Sequence, residues 1–168
     1  IHKKRTLSYF LVLILFWTAY SSSTKTKALA EKGVIVSAYS PVYPVLAGKK
    51  DNPVFRVNIV ATSGEGLNLK EFTVALEDVA VVTTIKTVAI YYTAAEEAFT
   101  TKHLFANTNN VSSEIQLAGD QQLATGDNFF WLAIELKDGA DLDGKVLTAI
   151  TDLKTNSGQV GIPLVGDT

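Results

Sequence analysis

The sequence predicts an all-β protein, an antiparallel β-sandwich of the Ig-like or jelly-roll type preceded by an N-terminal signal helix. Seven or eight short stretches alternate apolar and polar residues at fairly even spacing, which is typical of antiparallel strands. No helical pattern after residue 30 reaches about 12 residues, which favours the sandwich further. No segment of about 20–50 residues is repeated, so solenoid and propeller arrays are excluded for this chain.

The first 30 residues differ from the rest in charge and in hydropathy. They contain five basic residues and no acidic ones, and an apolar run from Leu7 to Tyr20 is followed by Ser21–Ser23. This order predicts a secretory signal peptide over residues 1–30, cleaved between residues 21 and 30. An uncleaved membrane anchor and a buried helix are the alternatives, but the run is shorter than the roughly 20 apolar residues that span a bilayer. The absence of Cys excludes a lipoprotein signal.

Residues 31–168 are predicted to form one acidic domain. They carry a formal charge of −7, although the whole chain carries only −2. They contain no basic run and no alternation of basic with aromatic residues, so nucleic-acid binding is not expected. We expect an exported bacterial protein, in the periplasm, on the cell surface or outside the cell, with no membrane contact after signal cleavage.

The strand pattern of this domain can be followed in order. Strands are predicted at Val34–Tyr39, Pro53–Ala61, Leu67–Leu76, Ile85–Thr93, Ser112–Leu117, Phe129–Leu136 and Val146–Leu153. Pro41 and Pro44 allow only an edge or irregular strand between them. Ser63–Gly66 is predicted to be a turn, and residues 94–103 and Asn107–Asn110 are predicted to be loops.

Two of these strands make explicit predictions about faces. Phe129–Leu136 is the most apolar strand and is expected at the centre of a sheet. Its alternate residues divide into two faces: Phe130, Leu132, Ile134 and Leu136 on one, and Phe129, Trp131 and Ala133 on the other. In the last strand the same alternation places Ile150 and Asp152 on one face and Thr151 and Leu153 on the other.

A spacing of Leu-x-x-Gly-x-x-aromatic precedes the most apolar strand, at Leu123, Gly126 and Phe129. It resembles the spacing of the tyrosine corner of Ig-like sandwiches, in which a tyrosine hydroxyl bonds to the backbone. Because Phe129 has no hydroxyl, we expect simple packing at this position.

Composition excludes several kinds of catalytic and metal site. The chain has no Cys, which removes disulfides, thiolate metal ligands and cysteine nucleophiles. His103 is the only His after residue 30, so a multi-His metal site is excluded and a solvent-facing loop residue is expected there. The sequence has neither a G-x-S-x-G elbow nor a Gly-rich phosphate loop. We predict no catalytic residue, no metal site and no cofactor.

Acidic residues form weak candidate sites. Asp138, Asp141 and Asp143 offer oxygen ligands for Ca²⁺ in one loop, but their spacing departs from the D-x-[DN]-x-[DN]-G pattern and favours a polar turn. Neighbouring carboxylates at Glu77–Asp78 and Glu96–Glu97 would point to opposite faces of a strand. They are therefore interpreted as solvated charges rather than as acid/base pairs.

Aromatic side chains are the remaining candidates, because they can stack on sugar rings. The candidates are Tyr39, Tyr43, Tyr91, Tyr92 and Trp131. Each also suits a core or half-buried strand position, and that interpretation is favoured. Asn110-Val-Ser112 is an N-glycosylation sequon, which matters only in a eukaryotic secretory route.

A family resemblance rests on a pattern of Leu, Gly, Asn, an aromatic pair and Trp before an apolar strand. Here the pattern comprises Leu123, Gly126, Asn128, Phe129, Phe130 and Trp131. The pattern resembles the N-terminal domain of bacterial exo-α-sialidases, the BNR or Asp-box neuraminidases. Asn52–Ile59, Leu69–Leu76 and Val88–Thr93 resemble earlier strands of that domain, so the resemblance covers roughly residues 33–160.

The resemblance implies a β-sandwich placed before a six-bladed propeller that removes terminal sialic acid from glycans. In that family the arginine cluster, the Tyr–Glu nucleophile pair and the Asp acid/base all lie in the propeller. This chain has only Arg5 and Arg56 and lacks the Asp-box repeats, so no catalytic residue can be carried over. We therefore expect a non-catalytic N-terminal domain of a secreted sialidase, which supports the C-terminal propeller or engages sialylated or galactosyl glycans.

Two other functions remain open at this point. A free-standing exported carbohydrate-binding module is the first alternative, and an adhesion or surface-assembly sandwich is the second. The sequence begins at Ile1 rather than Met and ends at Thr168, about where the propeller of the family would begin. We therefore expect a fragment of a longer protein, itself an exo-α-sialidase and thus a glycoside hydrolase.

Overall fold

A computed structural model describes residues 29–31, 33–41, 44–77, 79–140 and 148–162. The predicted signal peptide lies outside the described residues, except for residues 29 and 30. Within the described residues, no helix is long and apolar enough to cross a membrane.

Two antiparallel sheets make up the structure, which confirms the predicted β-sandwich. The six-stranded sheet contains, in spatial order, β1 (Leu29–Glu31), β2 (Val34–Tyr39), β3 (Asn52–Ala61), β8 (Gly126–Leu136), β5 (Ile85–Ala94) and β6 (Leu104–Thr108). The four-stranded sheet contains β10 (Gly158–Gly161), β9 (Thr148–Thr155), β4 (Asn68–Leu76) and β7 (Glu114–Gln122). A short helix, α1 (Val79–Thr84), joins β4 to β5 across the sandwich.

The core lies between the inner faces of the two sheets. β8 lies between β3 and β5 in the larger sheet, as its apolar sequence predicts. The four residues predicted to share its core face, Phe130, Leu132, Ile134 and Leu136, are all buried. The Phe130 ring meets Phe72 of β4 edge to face, with ring centroids 5.2 Å apart, which locks the two sheets together.

A buried asparagine replaces the tyrosine corner. Asn128 is fully buried, and its side-chain amide donates to the carbonyl oxygens of Ile59, Ala124 and Gly126. Its side-chain oxygen accepts from the hydroxyl of Tyr92 at 2.9 Å. Phe129 lies at the neighbouring position and makes more than the simple packing expected there, because its ring lies 5.4 Å from the guanidinium carbon of Arg56. The loop before β8 is therefore held to the core by Asn128, because a buried amide can satisfy several backbone groups at once.

Several elements differ from the sequence prediction. β6 includes Asn107 and Thr108, which were predicted to be loop, and β10 was not predicted at all. Both are short strands at or near sheet edges, where the apolar alternation is weak. β7 and β8 also extend beyond their predicted ends, because pairing with long neighbours carries the polar residues at those ends into the sheet.

The predicted faces of the last strand are wrong. Ile150 and Leu153 are both buried, although strict alternation places them on opposite faces. The pairing of β9 with β4 shifts between Thr73 and Val74, so that Thr151 is an extra residue in β9. This β-bulge reverses the alternation and turns Asp152 outward.

Candidate functional site

The residues first considered for catalysis are dispersed. Within the described ranges, no three His, Cys, Asp or Glu side chains form a group that could hold a metal ion. His103 is exposed in the loop before β6, as the sequence predicts, and its carbonyl oxygen accepts a hydrogen bond from the backbone of Tyr92.

The candidate carboxylates are exposed wherever the structure describes them. Glu77, Glu96 and Asp138 lie at strand ends or in loops. Glu97 is also exposed, but its carboxylate pairs with Arg56 at 2.5 Å rather than with a second acid. The other members of these acidic candidates, Asp78, Asp141 and Asp143, lie outside the described residues.

The aromatic candidates are largely withdrawn from solvent. Tyr92 lies in the core, where burial raises the pKa of its hydroxyl. Trp131 is 4% exposed and donates through Nε1 to the carbonyl oxygen of Glu97 at 3.2 Å. Tyr39 is half-buried, and Tyr43 lies outside the described residues. The favoured prediction of a core or half-buried strand position is therefore confirmed for Tyr39, Tyr92 and Trp131.

Tyr91 is buried on the outer face of the six-stranded sheet. Its hydroxyl donates to the carboxylate of Asp51 at 2.8 Å. Burial, followed by this hydrogen bond and the charge of Asp51, raises the pKa of Tyr91 to about 12. The ring of Phe99, from the loop after β5, meets Tyr91 edge to face at 5.8 Å and covers it.

One arginine lies at the centre of this same outer face. The guanidinium carbon of Arg56 lies 4.7 Å from the ring centroid of Tyr39 and 5.4 Å from those of Phe129 and Trp131. We call these four side chains the Arg56 cage. The side chain of Arg56 is only 15% exposed, and Glu97 closes the cage from the loop above it. The guanidinium of Arg56 is thus already engaged by groups of the same chain, through cation–π contacts with the three rings and an ion pair with Glu97.

The outer face of the four-stranded sheet has a different character. A groove of about 320 Å³ runs across β7, β4, β9 and β10. We call it the outer groove, and it is lined by Glu71, Thr73, Gln116, Asp152, Leu153, Lys154 and Gln159. All of these side chains except that of Leu153 are polar, and Leu153 itself is buried towards the core.

Three polar side chains of the outer groove have no polar partner among the described residues. Glu71 and Lys154 face each other as register partners on β4 and β9, yet they form no ion pair there. Gln116 is the third. At the rim, Gln159 donates to Asp152 at 3.2 Å.

The sequence does not reveal this groove. It depends on β10, which was not predicted, and on the bulge at Thr151, which turns Asp152 outward. The only signal in the sequence is the set of polar residues at the outward positions of β4, and such residues are also typical of an ordinary solvated face.

Two packed antiparallel sheets define a β-sandwich domain. The outer face of one sheet is covered by side chains of the chain itself, and the outer face of the other has a polar groove. Residues 33–159 match the family described as the N-terminal domain of BNR-repeat neuraminidase. The chain therefore belongs to this family of N-terminal neuraminidase domains, in agreement with its resemblance.

Individual relatives agree with the family. A sialidase of Bacteroides fragilis (strain YCH46) is 25% identical, and the match covers 74% of this chain and 27% of that protein. The solved structure of the Hadza microbial sialidase Hz136 superposes with a TM-score of 0.63 over 75% of this chain and 29% of that chain. At 14% sequence identity, the second likeness supports the fold alone. The chain thus spans less than a third of either relative.

Proposed function

We propose that this chain is the non-catalytic N-terminal domain of a secreted sialidase, whose hydrolytic residues lie in another part of the protein. The observation that carries the proposal is the family match over residues 33–159, joined with the small share of the Bacteroides fragilis sialidase that the chain spans. A domain named for its position before the repeats is expected to support the part that carries them.

The chemistry of the described residues supports a non-catalytic role. The carboxylate of sialic acid is best held by arginine, whose planar fork forms two parallel hydrogen bonds. In the described part of the chain Arg56 is the one arginine, and the rings of its cage and Glu97 already surround it. Hydrolysis of a sialoside would need further cationic groups beside it.

Export is the second component of the proposal. The basic start, the apolar run from Leu7 and the serines after it are typical of a signal peptide. Leu29–Glu31 pairs with Val34–Val36 in the six-stranded sheet. Because a mature domain would retain a paired strand, cleavage is expected before Leu29, within the predicted window of residues 21–30. Mass spectrometry of the exported protein would locate the new N-terminus.

Activity measurements test the non-catalytic role directly. The chain and the full product of its reading frame would each be assayed with a fluorogenic sialoside. We expect turnover by the full product and none by the chain. Turnover by the chain would contradict the proposal. So would an intact gene whose reading frame stops after Thr168 and encodes no BNR repeats.

Glycan engagement is a second candidate function, which the outer groove favours. Glu71, Gln116 and Lys154 have no polar partner in the part of the chain that the structure describes, and polar groups of this kind in a groove are suited to a hydroxyl-rich molecule. A glycan array probed with the chain would test it. Binding to any glycan supports engagement, whereas no binding leaves only the supporting role. An adhesion module would instead associate with itself or with proteins, which light scattering would detect.

A further inference from the structure

We infer that the outer groove binds a single uncharged sugar residue rather than the charged sialic acid residue. This inference rests on the glycan engagement proposed above and assigns it to a particular face, a particular set of side chains and a particular class of sugar.

The shape of the groove follows from two irregularities in the pairing of β4 with its neighbours. The pairing of β4 with both of its neighbours shifts between Leu69 and Glu71, and its pairing with β9 shifts again between Thr73 and Val74. Bulges increase local twist and redirect side chains, and they are over-represented next to binding sites. Here both bulges adjoin residues that line the groove. They account for a concave surface where a regular sheet would be flatter.

The size of the groove limits the ligand to about one sugar residue. Its volume of about 320 Å³ lies at the lower end of the roughly 300–1,000 Å³ that is typical of small-molecule pockets. An oligosaccharide would extend beyond it over the sheet. We therefore expect a terminal residue to enter, with the rest of the glycan in solvent.

The polar groups of the groove match the hydroxyl groups of a sugar. A hydroxyl both donates and accepts, so it needs partners of both kinds. The carboxylates of Glu71 and Asp152 accept, the ammonium of Lys154 donates, and the amide of Gln116 does both.

Other polar side chains on the same sheet, in contrast, form hydrogen bonds and an ion pair with one another. Lys70, next to Glu71, forms an ion pair with Asp120 at 2.7 Å, and Asn68 donates to that carboxylate as well. These hydrogen bonds hold the pKa of Asp120 below its usual value. Within the described residues Lys154 has no such partner, although Glu71 faces it across the strands. The groove therefore retains the hydrogen-bonding capacity that its surroundings have already used.

The charge of the groove selects against sialic acid. Two carboxylates and one ammonium give a formal charge of −1, and no arginine is among the described residues that line the groove. A sialate carboxylate would meet Glu71 and Asp152 as like charges and would find only Lys154 as a counter-ion. An uncharged sugar avoids this cost. Because no aromatic ring is found among the lining residues that the structure describes, we expect hydrogen bonds to dominate and the dissociation constant to be about millimolar.

An NMR titration of the ¹⁵N-labelled chain tests the inference. Methyl β-galactoside and the methyl α-glycoside of N-acetylneuraminic acid would be added separately. We expect the galactoside to shift amide signals of β4, β7, β9 and β10, and the sialoside to leave them unchanged at the same concentration. The substitutions Gln116→Ala and Lys154→Ala are each expected to weaken galactoside binding about fivefold, the loss of roughly one hydrogen bond.

Two control variants test whether any loss of binding is specific to the groove. Gln122→Ala and Lys86→Ala remove the same types of side chain outside the groove, and binding is expected to be unchanged. Thermal unfolding of each variant establishes that it is folded.

The possible outcomes separate the inference from the function on which it rests. Preference for the sialoside, or galactoside binding that the groove variants leave unchanged, would overturn the inference and keep glycan engagement. No binding to any glycan on an array would overturn both, and would leave the supporting role intact.

Discussion

The outer faces of the two sheets are built in opposite ways. On the six-stranded sheet, the Arg56 cage and the loop that carries Phe99 cover the strands with contacts made by the chain itself. On the four-stranded sheet, Glu71, Gln116 and Lys154 line a groove and have no polar partner among the described residues. The first face satisfies its polar groups within the chain, whereas the second leaves these three side chains to solvent.

The central strand of each sheet explains the difference. β8 is apolar on both faces, so Trp131 and Ala133 must be covered even though they point away from the core. β4 is apolar only on its core face and presents Glu71 and Thr73 outward. The hydrophobic effect therefore favours packing of the loop that carries Phe99 onto the six-stranded sheet, and the outer face of the four-stranded sheet remains in contact with water.

The largest expected effect is the loss of the ring at the centre of the covered face. Trp131→Ala is expected to lower the free energy of unfolding by about 3–5 kcal/mol, because a buried ring leaves a cavity. Urea unfolding, monitored by far-UV circular dichroism, measures this change in the free energy of unfolding. Thr73→Ala, at an outward position of β4, serves as the control and should change stability by less than about 0.5 kcal/mol. Equal effects of the two substitutions would contradict the comparison of the faces.

The next effect separates stacking from charge in the Arg56 cage. Arg56→Lys keeps the charge but loses the planar group that lies against three rings, and we expect a loss of about 1–2 kcal/mol. Glu97→Gln removes the charge of an exposed partner and is expected to cost less than about 1 kcal/mol. If Glu97→Gln proved the more damaging of the two, the ion pair rather than stacking would stabilise the cage.

A pH dependence is expected from Tyr91. The folded protein keeps the Tyr91 proton until about pH 12, whereas an unfolded tyrosine loses it near pH 10. Ionisation therefore favours the unfolded chain, and stability that is complete below pH 10 declines as the pH rises towards 12. Melting temperatures measured from pH 8 to 12 should fall less steeply in Tyr91→Phe than in the parent. Identical slopes would show that Tyr91 is not held in a desolvated position.

The smallest effect is expected on the open face. Gln116→Ala and Lys154→Ala should each change the free energy of unfolding by less than about 0.5 kcal/mol, because neither side chain has a polar partner among the described residues. Urea unfolding of both variants would establish this. A loss above about 1 kcal/mol would mean that these side chains stabilise the sheet, and the distinction between the two faces would weaken.

Prediction from the sequence succeeded where periodicity and burial agree. The two faces of β8 follow from strict alternation, and both faces proved to be largely covered. It failed at β9, where one inserted residue at Thr151 reversed the alternation. A bulge depends on pairing with another strand, so the local pattern of β9 does not reveal it.

At the candidate site, too, the sequence indicated local features but not the contacts between distant elements. The sequence identified the aromatic residues but not their neighbours, and the structure places Trp131 beneath Phe99, from a loop more than 30 residues away in the chain. It also suggested a tyrosine corner and predicted packing at Phe129. The hydrogen bonds are made instead by Asn128, one residue earlier, with Tyr92 of the neighbouring strand. Such partners meet only after strands far apart in sequence have paired.

By itself, the sequence determined the all-β class, the central position of β8, the residues of its core face and the family of the domain. These follow from alternation, composition and the pattern around Leu123–Trp131, which are local properties of the chain. Only the tertiary structure decided that one outer face is covered and that the other forms a groove. Coverage and concavity arise where bulges, edge strands and distant loops come together, and those contacts are set by packing between elements rather than within them.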